Sequence, residues 1–432
     1  MYKAELLPKL FDVINKQNIE YSVLRNYKQL PDSIGESDLD LLIHEKDVQS
    51  FKIILNTFIK TNSLQIVSVI LEKRCPKYCI LNEQWGIQID VFQGSVYYGS
   101  KEIVSSKYLF KNTENFNGVK VLNGKTGSVL SFLKELLNNK KCDNKYIEEL
   151  KLQSQNQNIE SELLEQFNPK FSQILNKHLF HLNDEHQSVL HNIAKKDFWR
   201  FKLSDFKNKI SRLVNMPGYT IAFLGTDGSG KSTIINIIQP LLNKAFHKKV
   251  YYEHMRPNQI PSIARLLGKK EQFNGPVTNP HEKEPSKLLV SLIRWAYYMI
   301  DYTIGYYLKV FPTKAIRSCV WIFDRYYYDY LIDPKRGRVN LPQWILKLGQ
   351  LIIPEPDIII CLGADAETIH NRKPELTLKE VERQVNALKL FCQSHKKAVW
   401  VDTGKSVDKS SNEALNTIIK VMGKRFESVK LS

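Results

Sequence analysis

Hydrophobic and polar positions divide the chain into three stretches with different patterns, of which the first covers residues 1–118. Apolar residues at helical spacing predict helices over residues 6–17 and 51–59. Short apolar runs bounded by turn-forming residues predict four strands, over residues 20–24, 39–43, 79–81 and 87–92. This mixture of helices and strands predicts an α/β domain of modest size.

The second stretch, residues 119–212, carries helical spacing throughout. Leucine, phenylalanine and isoleucine recur among lysine, glutamate, asparagine and glutamine, and the stretch contains a single proline, Pro169. This pattern predicts three or four helices that form a connector or an accessory bundle. No group of residues in this stretch indicates chemistry.

The third stretch, residues 213–432, returns to strand–helix–strand order. Nearly continuous apolar runs are typical of parallel strands buried on both faces, and they occur at residues 220–224, 250–252, 319–323, 358–362 and 398–401. They predict a doubly wound, parallel α/β domain. Residues 288–310 are also strongly apolar, but Arg294 and Asp301 interrupt them, which favours an amphipathic helix over a membrane span.

Composition narrows the class of protein. With 43% hydrophobic and 25% charged residues, the chain resembles an ordinary soluble globular protein. Six scattered cysteines are typical of a reducing cytoplasm, and the N-terminus lacks an apolar signal-peptide core, so a cytoplasmic location is expected. The net charge of +17 is compatible with nucleic acid or a membrane surface. Phosphate chemistry also needs excess lysine and arginine, and it is favoured here, with a small-molecule partner. The composition is compatible with a monomer and with a homo-oligomer.

Residues 225–233 carry the strongest motif. They read Gly-Thr-Asp-Gly-Ser-Gly-Lys-Ser-Thr and fit G-x-x-x-x-G-K-[ST], a loop that binds nucleotide phosphates. The motif follows a predicted strand and opens a predicted helix, as such loops do. We expect Lys231 to reach the β- and γ-phosphates of ATP and Ser232 to bind Mg²⁺. The residues expected to contact the nucleotide are Gly225, Thr226, Gly228, Ser229, Gly230, Lys231, Ser232 and Thr233.

Further candidate residues follow other predicted strands of this domain. Asp324 and Arg325 come directly after the strand at residues 319–323, at the edge where open α/β sheets bind ligands. Asp324 is expected to hold Mg²⁺ or to orient the acceptor, and Arg325 to bind a phosphate. Arg372 lies where a mobile lid is expected, and an arginine there would stabilise charge on the transferring group.

Taken together, these residues resemble the thymidylate kinase family across the third stretch. The resemblance rests on the 225–233 loop, Arg256-Pro257, Asp324-Arg325-Tyr326, Pro356-Asp357 and Arg372. It implies an ATP- and Mg²⁺-dependent phosphotransferase with Asp227 on the acceptor side and Arg325 in contact with phosphate. Gly228 stands where some members have an arginine, which implies that Arg372 supplies the catalytic arginine.

The sequence departs from this family around the acceptor. Ile300-Asp301-Tyr302 replaces the family's Ala-Asp-Arg, and residues 327–338 differ from its acceptor-binding segment. The sequence therefore leaves four candidates for the phosphoryl acceptor: thymidylate, another nucleotide, a sugar or sugar phosphate, and a polymer end. The tyrosine-rich residues 295–307 flank this region and are expected either to form core or to stack on the acceptor.

The first stretch contains a separate group of carboxylates. Asp38 and Asp40 alternate along a predicted strand and so share a face, and Asp90 lies on another strand. Three carboxylates in this arrangement hold the metal ions of two-metal transfer chemistry. The pattern resembles the DNA polymerase β-type nucleotidyltransferase superfamily. It departs from that superfamily at Leu24-Arg25-Asn26, where members carry Gly-Ser.

Three interpretations of this N-terminal site stay open: an active metal-dependent transferase, a degenerate binding domain, and ordinary exposed aspartates. The sequence thus predicts a small-molecule kinase fused to a nucleotidyltransferase-like domain. If both domains are active, the two reactions would follow one another in activated-sugar or surface-polysaccharide metabolism. One alternative is a nucleotide-gated module that binds RNA or a partner. Another is a nucleotidyl-modifying protein with a regulatory kinase fold.

Overall fold

The computed structural model describes residues 6–72, 74–98, 101–154, 161–196, 210, 212–213, 215–261, 281 and 286–427. Its internal contacts group the chain into two compact units. The N-terminal unit comprises residues 1–80, 87–211 and 428–432, and the C-terminal unit comprises residues 81–86 and 212–427.

The N-terminal unit contains a seven-stranded mixed sheet. Its strands are β1 (Tyr21–Val23), β2 (Leu39–Ile43), β3 (Gln65–Ile70), β4 (Lys77–Leu81), β5 (Gly86–Gln93), β8 (Thr113–Phe116) and β9 (Val119–Leu122). A separate hairpin is formed by β6 (Val96–Tyr98) and β7 (Lys101–Val104). The sheet order is β3-β4-β5-β2-β1-β9-β8, and β2 pairs with β5 in parallel. The four strands expected from apolar runs are therefore present.

Eight described helices belong to this unit. They are α1 (Leu6–Lys16), α2 (Val48–Thr61), α3 (Ser106–Lys111), α4 (Gly124–Asn139), α5 (Asn144–Ser154), α6 (Ser161–Phe167), α7 (Pro169–His178) and α8 (Asp184–Lys196). Pro169 begins α7, because the first helical position needs no N–H donor. Asn168 caps this helix by accepting a hydrogen bond from the Phe171 amide at 3.0 Å.

The expected boundary at residue 118 falls in the turn between β8 and β9, which pair as an antiparallel hairpin. The helices after it pack on the sheet, since Leu133 and Leu136 of α4 share a hydrophobic core with Leu24 and Leu42. These helices thus belong to the same unit as the sheet, because their apolar faces are covered by it. Residues 197–209 of the expected connector lie outside the described residues.

The C-terminal unit is built on a five-stranded sheet in which each neighbouring pair is parallel. Its strands are β10 (Tyr219–Leu224), β11 (Val250–His254), β12 (Val320–Asp324), β13 (Ile358–Gly363) and β14 (Ala398–Asp402). The order β11-β12-β10-β13-β14 makes the central β10 a point where the chain changes direction across the sheet. Ligands bind at such switch points in open α/β sheets.

Helices connect these strands. They are α9 (Lys231–Ala245), α10 (Leu288–Ile300), α11 (Phe311–Arg317), α12 (Asp329–Ile332), α13 (Gln343–Ile352), α14 (Ala366–Arg372), α15 (Leu378–Ser394) and α16 (Val407–Phe426). A π-helical stretch, Asp301–Val310, joins α10 to α11 without a break. Within the described residues, no helix combines the length and apolar character needed to cross a bilayer.

Tyrosines form much of the core beside β12. Tyr302 is fully buried, and its ring meets those of Tyr326 and Tyr327 edge-on, with centroids 5.3 and 5.6 Å apart. Tyr306 is buried in the same cluster. Of the two roles expected for this tyrosine-rich segment, Tyr302 and Tyr306 therefore have the core role.

Candidate functional site

The loop between β10 and α9 has the backbone shape of a phosphate-binding loop. Gly228 and Gly230 have φ angles of +85° and +84°, in the left-handed region that glycine adopts without steric cost. A Cβ atom at Gly225 would lie 2.6 Å from the carbonyl oxygen of Leu362, so the loop lies directly against β13. Gly230 precedes the first turn of α9, whose free N–H groups favour an anion.

Lys231 is buried at the centre of this loop. Its Nζ donates hydrogen bonds to the carbonyl oxygens of Gly225 at 2.9 Å and Thr226 at 3.1 Å. Burial and the nearby charge of Arg325 lower the pKa of Lys231 to about 8. A phosphate beside this amine would favour its charged form. The lysine is therefore placed to bind an anion over the loop.

A cavity of about 420 Å³ opens over the loop. The predicted site residues that line it are Asp227, Gly228, Gly230, Lys231, Ser232, Thr233 and Arg372. Gly225, Thr226 and Ser229 are buried, so they shape the loop rather than the cavity surface. The structure thus brings the loop and the predicted lid arginine to one cavity, although they lie far apart in sequence.

Sequence reasoning missed one wall of this cavity. It is formed by Lys373, Thr403, Lys405, Val407 and Ser410. Arg372, the last residue of α14, donates from Nη2 to the Thr403 carbonyl oxygen at 2.9 Å. Thr403 comes directly after β14, so the strand-end rule applied to Asp324 would have found it.

Asp324 is the final residue of β12 and is buried. Its Oδ2 accepts a hydrogen bond from the Tyr252 hydroxyl at 3.0 Å. Its Oδ1 is buried and has no hydrogen-bond partner among the described residues. A buried carboxylate oxygen in this state is suited to a cation.

Arg325 follows with a φ of +70°, a left-handed conformation that is unusual for arginine. Its guanidinium is buried, donates to Asp227 Oδ1 at 2.6 Å, and also contacts Asp329. Arg336 pairs with the second oxygen of Asp227. Burial alone would raise the pKa of Asp227, but Arg325, Lys231 and Arg336 hold it well below its ordinary value. The acceptor side predicted around Asp227 therefore carries two arginines, and the sequence had indicated only the first.

Asp301, in the segment that departs from the thymidylate kinase pattern, binds the loop after β11. It is fully buried, and one oxygen accepts from Arg256 Nη1 at 2.7 Å and from the Asn258 amide at 3.0 Å. The other oxygen accepts from the amides of Gln259 and Ile260, at 2.9 and 3.1 Å. Asp301 therefore holds the loop after β11 by satisfying its backbone donors.

The three N-terminal carboxylates also come together. The parallel register of β2 and β5 places Asp40 opposite Asp90, and each of Asp38, Asp40 and Asp90 offers an oxygen within 4.8 Å of the others. All three residues are buried. The interpretation as ordinary exposed aspartates is therefore wrong, because none of the three is more than 6% exposed.

Basic side chains neutralise this carboxylate group. Arg25 pairs with Asp40 and lies 3.6 Å from Asp38, and Lys134 Nζ lies 3.1 Å from Asp40. Burial alone would raise the pKa of Asp40, but Arg25 and Lys134 hold it well below its ordinary value. Lys77 pairs with Asp90. The sequence had indicated Arg25. Lys77 of β4 and Lys134 of α4 were missed, because neither belongs to a local motif.

Comparisons with known proteins add little to this geometry. No protein-family model matches the chain, and no curated protein sequence matches it. Solved structures similar to it include a thymidylate kinase from Ehrlichia chaffeensis, 17% identical, with 48% of this chain and 99% of that chain covered and a TM-score of 0.32. Another is a thymidylate kinase from Candida albicans, 17% identical, covering 48% of this chain and 93% of that chain, with a TM-score of 0.35. The description of a phosphate-binding loop on a parallel sheet rests on the loop geometry and sheet order rather than on these scores.

Proposed function

We propose that the C-terminal unit is a kinase that transfers the γ-phosphoryl group of ATP to a small acceptor. One observation carries the proposal: the phosphate-binding loop, the buried Lys231 and Arg372 meet at one cavity of about 420 Å³. Phosphoryl transfer needs little beyond such positioning and charge stabilisation.

The donor would lie along the loop. The amides of the loop and Lys231 would hold its phosphates, and Arg372 would stabilise the charge of the transferring group. Ser232 at the exposed start of α9 and the buried Oδ1 of Asp324 offer the oxygen ligands that Mg²⁺ prefers, so these residues fit the ion. When bound, Mg²⁺ supplies charge neutralisation at the phosphates.

The acceptor would lie beside Asp227. The two arginines that flank this carboxylate, Arg325 and Arg336, provide donors in the fork geometry that suits phosphates and hydroxyl-bearing groups. A nucleotide, a sugar and a sugar phosphate all satisfy this chemistry. The acceptor is accordingly proposed by class.

The test is phosphorus NMR of the full chain with ATP, Mg²⁺ and a deproteinised cell extract. ADP and a new phosphate ester should form, and Lys231→Ala should reduce the rate at least 100-fold, as the loss of a charge-stabilising donor does. Lys244→Ala is the matched control, because Lys244 is an exposed lysine on the same helix. Unchanged turnover in Lys231→Ala would contradict the proposal.

A second candidate function belongs to the N-terminal unit: metal-dependent nucleotidyl transfer. The observation in its favour is the buried cluster of Asp38, Asp40 and Asp90. These oxygens fit Mg²⁺, and the cations that now neutralise them would have to give way to the ion. Arg25 and Lys134 would then be available for the phosphates of a nucleotide.

Pyrophosphate release from nucleoside triphosphates tests this candidate. Asp40→Asn should abolish the release, while Asp12→Asn, at an exposed position of α1, should leave it intact. If both units turn over, the kinase product is a suitable acceptor for nucleotidyl transfer, as in activated-sugar synthesis. Pyrophosphate release that survives Asp40→Asn would remove the N-terminal site from the scheme.

A nucleotide-gated module that binds RNA is the remaining alternative, and the net charge of +17 is the observation that favours it. In that case RNA binding would be strongly salt-dependent and would change with ATP. Fast ATP turnover that requires a small acceptor would count against it.

A further inference from the structure

Two helices of the C-terminal unit expose an apolar surface that the proposed kinase does not use. We call it the α10–α13 face and define it by Leu289, Ile293 and Ile304 on the rod from α10 to α11, and by Trp344, Leu348 and Leu351 on α13. Leu289 is 69% exposed, Trp344 67% and Leu351 82%. Half of the large apolar side chains that the described residues expose lie on α13 and on the rod of residues 288–317.

The opposite side of the same rod is packed in the core. Met299, Tyr302 and Tyr306 are buried there, while Ile300 and Ile304 are exposed. A helix that is apolar on both sides is normally covered on both sides. Soluble monomers rarely expose contiguous apolar patches of more than a few hundred Å². The α10–α13 face is therefore suited to contact with another apolar phase.

The two helices form one surface because polar contacts tie them together. Trp295 on α10 donates from Nε1 to the Tyr327 hydroxyl at 2.8 Å, and that hydroxyl donates to the Leu346 carbonyl oxygen on α13 at 2.9 Å. The Asn340 amide, just before α13, donates to Ser291 Oγ on α10 at 3.0 Å. α10 and α13 are consequently held side by side.

The two segments that form the face carry exposed charges of one sign. Residues 286–317 contain a single acidic residue, Asp301, which is fully buried and paired with Arg256. Residues 338–354 contain none. The exposed charged residues of the two segments are basic, and they include Lys287 and Lys347. A second copy of the chain would bring like charges together across this face, which disfavours pairing. An anionic lipid surface complements both the charge and the apolar side chains.

We propose that the α10–α13 face binds peripherally to an anionic lipid surface. The leucine and isoleucine side chains enter the boundary between headgroups and acyl chains, and Lys287 and Lys347 remain among the anionic headgroups. Trp344 lies at the depth that tryptophan prefers in membranes. This binding brings the kinase unit to a membrane surface without a spanning helix.

Vesicle sedimentation with the full chain tests the proposal. The chain should bind vesicles of phosphatidylglycerol mixed with phosphatidylcholine, bind poorly to phosphatidylcholine alone, and dissociate as salt is raised. Ile293→Glu and Leu351→Glu should each lower the partition coefficient about tenfold or more, since each places a charge in the apolar contact. Leu390→Glu is the matched control, because Leu390 is an exposed leucine on α15, outside the face. The Lys287→Gln, Lys347→Gln double variant should bind about 25-fold more weakly, about fivefold per lysine.

Two further readouts separate the competing explanations. Tryptophan fluorescence should shift to the blue on vesicle binding, and Trp344→Phe should remove much of the shift. Unaltered thermal unfolding of the variants would show that they fold. In one contrary outcome the chain does not bind anionic vesicles, light scattering gives the mass of a dimer, and Leu351→Glu restores the mass of a monomer. The face then binds a second copy of the chain, and the proposal fails. A monomer that binds no vesicles overturns it as well.

Discussion

Asp357, just before β13, connects three parts of the C-terminal unit, and its replacement by asparagine is expected to destabilise that unit strongly. Its Oδ2 accepts from the Thr220 amide at 2.7 Å and lies 2.8 Å from Lys314 Nζ, and its Oδ1 accepts from Arg425 at 2.7 Å. The Lys314 side chain is only 4% exposed. Asp357→Asn keeps the size but leaves this lysine buried without its counter-charge.

The expected loss is about 3 kcal/mol of unfolding free energy, at the lower end of the range for breaking a buried ion pair, because the Asp357 side chain is 13% exposed. Burial alone would raise the pKa of Asp357, but Lys314 and Arg425 hold it below its ordinary value of 3.8. The stabilisation is therefore fully present above pH 3.8 and is lost as pH falls through the lower pKa of the folded state. The difference in unfolding free energy between the original chain and Asp357→Asn should become smaller only below pH 3.8.

Urea unfolding of the full chain measures this difference. The transition that ATP and Mg²⁺ shift upward, and that they no longer shift in Lys231→Ala, identifies the C-terminal unit. Asp408→Asn, at an exposed position in the first turn of α16, is the control and should change stability much less. The reasoning also expects Asp357→Leu with Lys314→Met to recover part of the loss, since both charges are then gone. A loss below about 1 kcal/mol, or a loss that is as large at pH 3 as at pH 7, would refute it.

Three further changes have expected outcomes. In Gly230→Ala the alanine must adopt a φ of +84°, which should destabilise the loop by about 1–2 kcal/mol. A fluorescent ATP analogue should therefore bind more weakly, and unchanged affinity would contradict this. Arg372→Ala should lower kcat about 100-fold with little effect on thermal unfolding, because the arginine donates a hydrogen bond to one carbonyl oxygen, that of Thr403; Arg372→Lys should retain part of the rate. Asp301→Asn loses its ion pair with Arg256, so amide hydrogen exchange at residues 258–260 should accelerate; equal protection would exclude that role.

The three central strands of the C-terminal sheet were predictable because they are buried on both faces. The apolar runs at residues 220–224 and 358–362 lie within β10 and β13. The edge strand β8 of the N-terminal sheet was not predictable, because its sequence Thr-Glu-Asn-Phe contains no apolar run and its residues are exposed or half-buried. Its position is decided by pairing with β9.

Candidate site residues were predictable where chemistry is local in sequence. The phosphate-binding loop is contiguous, and strand alternation places Asp38 and Asp40 on one face. Arg336 and Lys134 reach their carboxylates across 109 and 94 residues, so no spacing rule connects them. Asp301 shows the limit of a resemblance: the position matches a family motif, but its carboxylate binds backbone amides that only the fold brings near.

The π-helical stretch Asp301–Val310 determines which side chains of the rod face the core and which face solvent. A π-helix closes each turn one residue later than an α-helix, so side chains four apart stay in line instead of drifting by about 40° per step. Tyr302, Tyr306 and Val310 thus remain in the core while Ile304 and Leu308 remain in solvent. The number of residues in this stretch is therefore as constrained as their identity. Deleting one would rotate every later side chain of the rod by about 100°, which moves the buried side chains away from the core.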